Sequence, residues 1–197
     1  MIFFALAGAI SPGPVNVIAS SLGARHGFWR TLPHVAGASL GYCAVILLMG
    51  SGMNLLLQTW PALVTVTYYA GTLYLLYLAA RIALTPATIP DSHTVTPGSH
   101  WRHNALQGLL TQTLNPKAWL VALSGVGLFV PPSADHSAGL WLFCAISGVV
   151  CFVSVACWAA LGTLIRRWLQ QPRHQRNFNR ALAALLVLTV AQMLDGF

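Results

Sequence analysis

Leu114-Asn115-Pro116-Lys117-Ala118-Trp119 interrupts an apolar run that extends from about Ala105 to Val130. The stretch combines an amide, a helix-breaking proline and a cation, which neither a soluble core helix nor a simple membrane anchor requires. A second interruption, Ser11-Pro12-Gly13-Pro14-Val15-Asn16, lies near the other end of the chain. Read together, the two stretches predict a single site assembled from two broken helices.

The surroundings of both stretches are those of a membrane protein. Of the 197 residues 56% are hydrophobic and only 7% charged, where a soluble domain carries about 25% charged residues. Apolar stretches fall at Ile2 to Leu22, Val35 to Leu57, Leu63 to Leu84, Ala105 to Val130, Ala138 to Ile165 and Ala181 to Asp195. Most approach the roughly 20 residues that a helix needs to cross about 30 Å of hydrocarbon; the last is short, and tilt or an interfacial position would accommodate it. The alternating ten-residue segments of a membrane barrel are absent. The expected fold is therefore all-α, with six transmembrane helices. Its first span has no basic n-region and carries two prolines and an asparagine, so it is expected to stay in the mature chain as a helix rather than act as a signal peptide.

The cations set the orientation. Arg25 and Arg30 follow the first span, Arg81 and Arg102 flank the third connection, and Arg166, Arg167, Arg173, Arg176 and Arg180 fill the fifth. The connections Gln58 to Ala62 and Pro131 to Ser137 contain neither Lys nor Arg. Cytoplasmic loops are the ones enriched in these residues, so both termini are expected on the non-cytoplasmic side. The formal charge of +7 is thus accounted for by topology and contact with anionic membrane lipid. No basic stripe points to nucleic acid.

Depth follows from counting. Ser11 is reached ten residues into the first span and Asn115 ten residues into the fourth, roughly 15 Å in each case and so near the midplane. Pro12, Pro14 and Pro116 cannot donate to the carbonyls of Gly8, Ile10 and Gln112, and Gly13 relaxes the backbone between the first two. Helices 1 and 4 should both break there. Lys117 would then sit where an ammonium costs at least about 2.5 to 3.5 kcal/mol to insert, which makes it a functional residue facing protein or water.

Thr85 to His103 is polar, with three prolines and three of the seven histidines, and divides the chain into 1–84, a cytoplasmic linker 85–104, and 105–197. Three spans per half force the halves to enter the membrane in opposite senses, as inverted repeats. Other residues carry weaker signals. Gly37 and Gly41 have the four-residue spacing of close helix packing. His26 and His34 read as interfacial, and no histidine or cysteine grouping has metal-ligand spacing. Cys43, Cys144, Cys151 and Cys157 read as small apolar filler. Tyr68 and Tyr69 fit an interfacial belt, whereas Tyr74 and Tyr77 share a face with Gly71 and fit cavity lining or packing equally.

The two breaks together offer carbonyls, the amides of Asn16 and Asn115, and the Lys117 ammonium. Carbonyls suit an ammonium group, and a lysine or helix N-terminus suits a carboxylate, so a zwitterionic amino acid fits both. No clearly buried Asp or Glu is available for a dibasic side chain, which favours a neutral or small polar substrate. Paired interrupted spans are the mark of a secondary transporter's binding site. The substrate-binding candidates are Ser11, Pro12, Gly13, Pro14, Asn16, Asn115, Pro116 and Lys117, with Tyr74, Gln112 and Trp119 as further cavity lining. No metal or cofactor is expected. Aspartates 91, 135 and 195, the only acidic residues, assemble no enzyme's acid-base pair.

These residues resemble the LysE/RhtB-type bacterial exporters of amino acids. The motifs that carry the resemblance are Ser11-Pro12-Gly13-Pro14-Val15-Asn16, Gly37-Ala38-Ser39-Leu40-Gly41, Gly71-Thr72-Leu73-Tyr74-Leu75 and Asn115-Pro116-Lys117-Ala118. The resemblance implies amino-acid export across the bacterial inner membrane in exchange for protons, and it is compatible with a homo-oligomer. Two departures stand out. Val15 occupies the place directly after the second proline where relatives often carry asparagine, and Tyr42 stands where lysine-exporting types have an acidic residue. Asn16 is retained next to Val15, and the chain looks closer to the branch that exports cysteine, O-acetylserine or other neutral amino acids, in agreement with the missing counter-charge. With no mid-membrane carboxylate, Lys117 is the candidate to exchange a proton or to answer the substrate carboxylate. Another small-solute transporter or a passive channel is the alternative.

Overall fold

The computed structural model describes residues 1–53, 61–84, 97–130 and 136–195, and among these every regular element is helical. Eight α-helices follow one another: α1 Ile2–Ile10, α2 Pro14–His26, α3 Phe28–Leu48, α4 Pro61–Ala83, α5 Pro97–Thr113, α6 Pro116–Phe129, α7 His136–Leu164 and α8 Pro172–Asp195. A π-helical turn, Met49–Met53, extends α3, and a 3-10 turn, Trp168–Gln170, precedes α8. Phe28–Gly52 and His136–Leu164 are each long and apolar enough to cross a membrane. The pair α1 and α2 satisfies the same test jointly but is bent by 62° at the break.

Both breaks fall at the prolines. The first helix ends at Ile10 and the next begins with Pro14 as its first residue, a position where the missing N–H is no loss. In the same way α5 ends at Thr113 and α6 begins at Pro116. Elsewhere helices start earlier than the apolar runs. The helix α3 begins at Phe28, seven residues before Val35, and α8 begins at Pro172, so that Arg173, Arg176 and Arg180 lie on a helix instead of in a loop. Similarly α5 begins at Pro97, making 97–104 helical where a linker was expected. The rest of that linker, 85–96, with Asp91 and His93, lies outside the described residues, as do 54–60 and 131–135, which hold most of the two cation-free connections and Asp135.

At the centre of the bundle is α2, in which every residue from Pro14 to Ser21 is buried. Its small residues let α7 approach to backbone contact. A Cβ on Gly23 would stand 2.1 Å from the Ala159 carbonyl oxygen, and one on Gly162 2.1 Å from that of Ser20. The same reciprocal arrangement joins α3 to α5, where a Cβ on Gly37 would meet the Ala105 oxygen at 1.9 Å and one on Gly108 the His34 oxygen at 2.1 Å. Backbone cannot step aside as a flexible side chain can, so these seams accept glycine alone. Gly108→Val is expected to destabilise the folded protein by at least about 3 kcal/mol, read as a collapse of the monodisperse peak in detergent size-exclusion chromatography. Val introduced at Gly127, beside which a Cβ would meet no atom within 4 Å, should leave that peak unchanged.

Early entry into α3 also explains a correction. His34 is fully buried within the bundle, not solvent-facing, because it lies in the second turn of the helix at the α5 seam. One ring nitrogen lies toward the Val15 backbone, yet neither reaches hydrogen-bonding geometry with any described residue. Tyr69 and Tyr77 are exposed, Tyr74 packs beside the cluster of Ile18, Leu78 and Leu186, and the four cysteines are free thiols.

Candidate functional site

Pro12, Pro14 and Pro116 each strip a carbonyl of its helical donor, and each of these three carbonyls has found another. The Gly8 oxygen accepts from the Ser11 hydroxyl at 3.3 Å. The Ile10 oxygen accepts from the indole N–H of Trp158 on α7 at 3.1 Å. The Gln112 oxygen accepts from the Asn115 N–H at 3.2 Å. A second indole, Trp119, donates to the Thr113 oxygen at 2.7 Å. The freed carbonyls expected to await an ammonium group are therefore already satisfied, because a buried carbonyl left bare costs about 1 to 3 kcal/mol.

Lys117 and Asn16 hold the two breaks together. The Lys117 ammonium donates to the Ser11 hydroxyl oxygen at 2.5 Å, across the gap between α6 and α1. That hydroxyl is free to accept because its own proton is directed at the Ala7 and Gly8 carbonyls. Asn16 donates its amide to the Ala9 oxygen at 2.7 Å and to the Ser11 oxygen at 3.0 Å, bridging α2 to the end of α1. Those two bonds fix which way the amide points. They leave Asn16 Oδ1 buried and without a hydrogen-bond partner among the described residues. Asn115 caps α6, its side-chain oxygen accepting from the Lys117 N–H at 3.2 Å. By contrast α2 has no side-chain cap, since Gly13 supplies none, and its first-turn donors stay directed outward past the helix end.

These groups converge on a cavity of about 40 Å³, room for a few water molecules and far below the roughly 300 to 1,000 Å³ of a ligand pocket. Ser11, Gly13, Asn16, Asn115 and Lys117 line it from the breaks, and Gln112 from α5. Pro12, Pro14 and Pro116 shape the breaks without lining it. Tyr74 and Trp119 also lie off the cavity, the first beside the Ile18, Leu78 and Leu186 cluster and the second packed against the main core. Three further lining side chains come from long helices that the sequence reading did not assign to the site: Tyr42 from α3, and Cys151 and Val155 from α7. The signal for Tyr42 was its place directly after Gly41. A Cβ on Gly13 would stand 3.9 Å from the Lys117 nitrogen, an ordinary contact, which places Gly13 directly beside the ammonium.

Two broken helices meeting through a half-buried cation, in an all-helical apolar bundle, are the arrangement that a translocator's binding site takes. The comparison with known proteins agrees and is more specific. Residues 6–194 match the LysE type translocator family, and the chain belongs to that family. Its relatives include the "Cysteine/O-acetylserine efflux protein" of Escherichia coli O157:H7, 32% identical over 184 residues, which span 93% of this chain and 90% of the relative. The proteins of the same name from Escherichia coli K12 and Shigella flexneri serotype 5b match with the same identity and coverage. No solved structure matches the chain.

Proposed function

We propose that this translocator exports neutral or small polar amino acids, of the cysteine and O-acetylserine type, from the cytoplasm across the bacterial inner membrane in exchange for protons. The observation that carries the reading is the Lys117 to Ser11 contact, which makes the two helix breaks one site. In this reading the substrate carboxylate displaces Ser11 from Lys117 and lies against the uncapped start of α2, where N–H donors and the helix dipole favour an anion. The α-ammonium is answered by Asn16 Oδ1, the buried acceptor without a partner. Tyr42 presents a phenol where an acidic residue would select a cationic side chain, so the site suits a neutral one. The names of the Escherichia coli relatives support the same substrate class.

The layout proposed is of six spans in two inverted halves, 1–84 and 105–197, with the two breaks at the midplane and both termini outside the cytoplasm. The matching of α1 and α2 with α5 and α6, each pair split just before a proline, supports it. The small cavity fits a closed state that opens to admit substrate.

The test is uptake of a labelled amino-acid panel into inside-out vesicles with an imposed pH gradient. Accumulation of cysteine or O-acetylserine that collapses with the gradient is expected, with lysine and arginine excluded. Accumulation of no amino acid would remove the proposal, and accumulation indifferent to the gradient would leave a passive channel in its place.

A further inference from the structure

A second cavity, of about 240 Å³, lies between α2, α4 and α5 at the cation-rich ends of these helices, the side read above as cytoplasmic. It is larger than the cavity at the breaks and separate from it, since the two share no lining residue. Gly71 of α4 stands close against the backbone of Leu114 at the end of α5, and the cavity occupies the space between the same two helices about two to three turns further along. One part of its wall is cationic and polar: Arg25, His26, Arg81 and His103, with Asn104 and Gln107. Another part is aliphatic, formed by Ile18, Leu22, Leu78 and Ile82. Arg25 and Arg81 are near enough to act on one another as like charges.

Two guanidinium groups gathered at one cavity favour an oxyanion between them, and the planar guanidinium is suited to phosphate oxygens in particular. A free anion would use only the polar wall. The aliphatic wall, seven residues deep along α2 from Arg25 to Ile18 and so about 10 Å, calls for an amphiphile. Anionic phospholipids supply that combination, and they are concentrated in the cytoplasmic leaflet. We infer that this cavity is a binding site for the phosphate headgroup of an anionic phospholipid, with the glycerol and upper acyl chain along Ile18, Leu22, Leu78 and Ile82.

The test uses the purified full-length protein in zwitterionic detergent, with phosphatidylglycerol or phosphatidylcholine added and the thermal-unfolding midpoint recorded against lipid concentration. Phosphatidylglycerol is expected to raise the midpoint saturably and phosphatidylcholine not to. The Arg25→Gln/Arg81→Gln double variant should bind phosphatidylglycerol roughly 10- to 30-fold more weakly. Arg173→Gln/Arg180→Gln, which removes exposed cations of α8, should respond as the parent does. Equal responses to the two lipids, or an undiminished response in the Arg25/Arg81 variant, would overturn the site. Inorganic phosphate reproducing the shift would overturn the lipid assignment in favour of a free anion. Should the double variant fail to fold, native mass spectrometry of the parent protein decides: one retained phosphatidylglycerol in preference to phosphatidylcholine is expected, and no preference contradicts the inference.

Discussion

Lys117→Met is expected to cut gradient-driven export by about 100-fold or more while leaving as much folded protein in the membrane as the parent has. Removing one partner of a desolvated, hydrogen-bonded charge pair costs about 2 to 5 kcal/mol, and every 1.4 kcal/mol is a factor of ten. A loss near 3 kcal/mol from carboxylate binding alone therefore brings transport to about one hundredth. Stability should move the other way. Methionine keeps the length of the stem and removes an ammonium that costs about 2.5 to 3.5 kcal/mol to place in the membrane. Ser11 loses its contact with Lys117 but keeps the Ala7 and Gly8 carbonyls as acceptors. Lost transport with unchanged or raised thermal stability is the signature of a substrate-binding residue, and a structural lysine would lose both. Export at the parent rate would take Lys117 out of the site. Lys117→Arg separates its two roles: full pH-driven export by that variant, which keeps the charge and resists deprotonation, would exclude Lys117 as the proton carrier but not as the carboxylate anchor.

Asn16→Leu is expected to fail in a different manner, losing stability and transport together. Among the described residues the amide is the donor that the Ala9 oxygen, in the last turn of α1, has in place of a helical one, and it also holds the Ser11 oxygen. Leucine is close in size and leaves both carbonyls without that donor, at about 1 to 3 kcal/mol each, so roughly 2 to 6 kcal/mol in all. Because Pro12 and Pro14 prevent a helical rescue of the break, the chain has few ways to relax. The check is the thermal midpoint in detergent, which should fall by many degrees. A shift of only a degree or two would mean that these carbonyls are satisfied otherwise and that Asn16 does not tie α2 to α1.

The breaks were legible in the sequence because proline and glycine act locally: Pro14 and Pro116 each open a helix with no reference to the rest of the fold. The same is true of Gly37 and the approach it permits, for four-residue spacing places small residues on one face. What was not legible depends on residues far apart in the chain. Trp158 reaches the carbonyl that Pro14 frees from 148 positions away, and no local pattern could say that an indole would take the place left for a substrate. Tyr42, Cys151 and Val155 reach the cavity from helices that looked like packing, since the sequence fixes a helical face but not the neighbour it turns to. Tyr74 illustrates the converse, a polar aromatic on a plausible face that packs beside Ile18, Leu78 and Leu186 instead. Helices begin ahead of their apolar runs wherever the first turns are basic or polar, as at Pro97 and Pro172. An apolar run marks the part of a helix that is buried in lipid or protein and not the part that projects beyond it.

The central claim is that the two breaks form one amino-acid site that carries its substrate across. Counterflow in proteoliposomes is its most direct measurement: vesicles containing the purified protein are loaded with unlabelled O-acetylserine and diluted into a trace of the labelled compound. A transient overshoot of label above equilibrium is expected for the parent protein and none for Lys117→Met. Label that equilibrates at the same rate with or without the preload, or an overshoot that survives Lys117→Met unchanged, would contradict it.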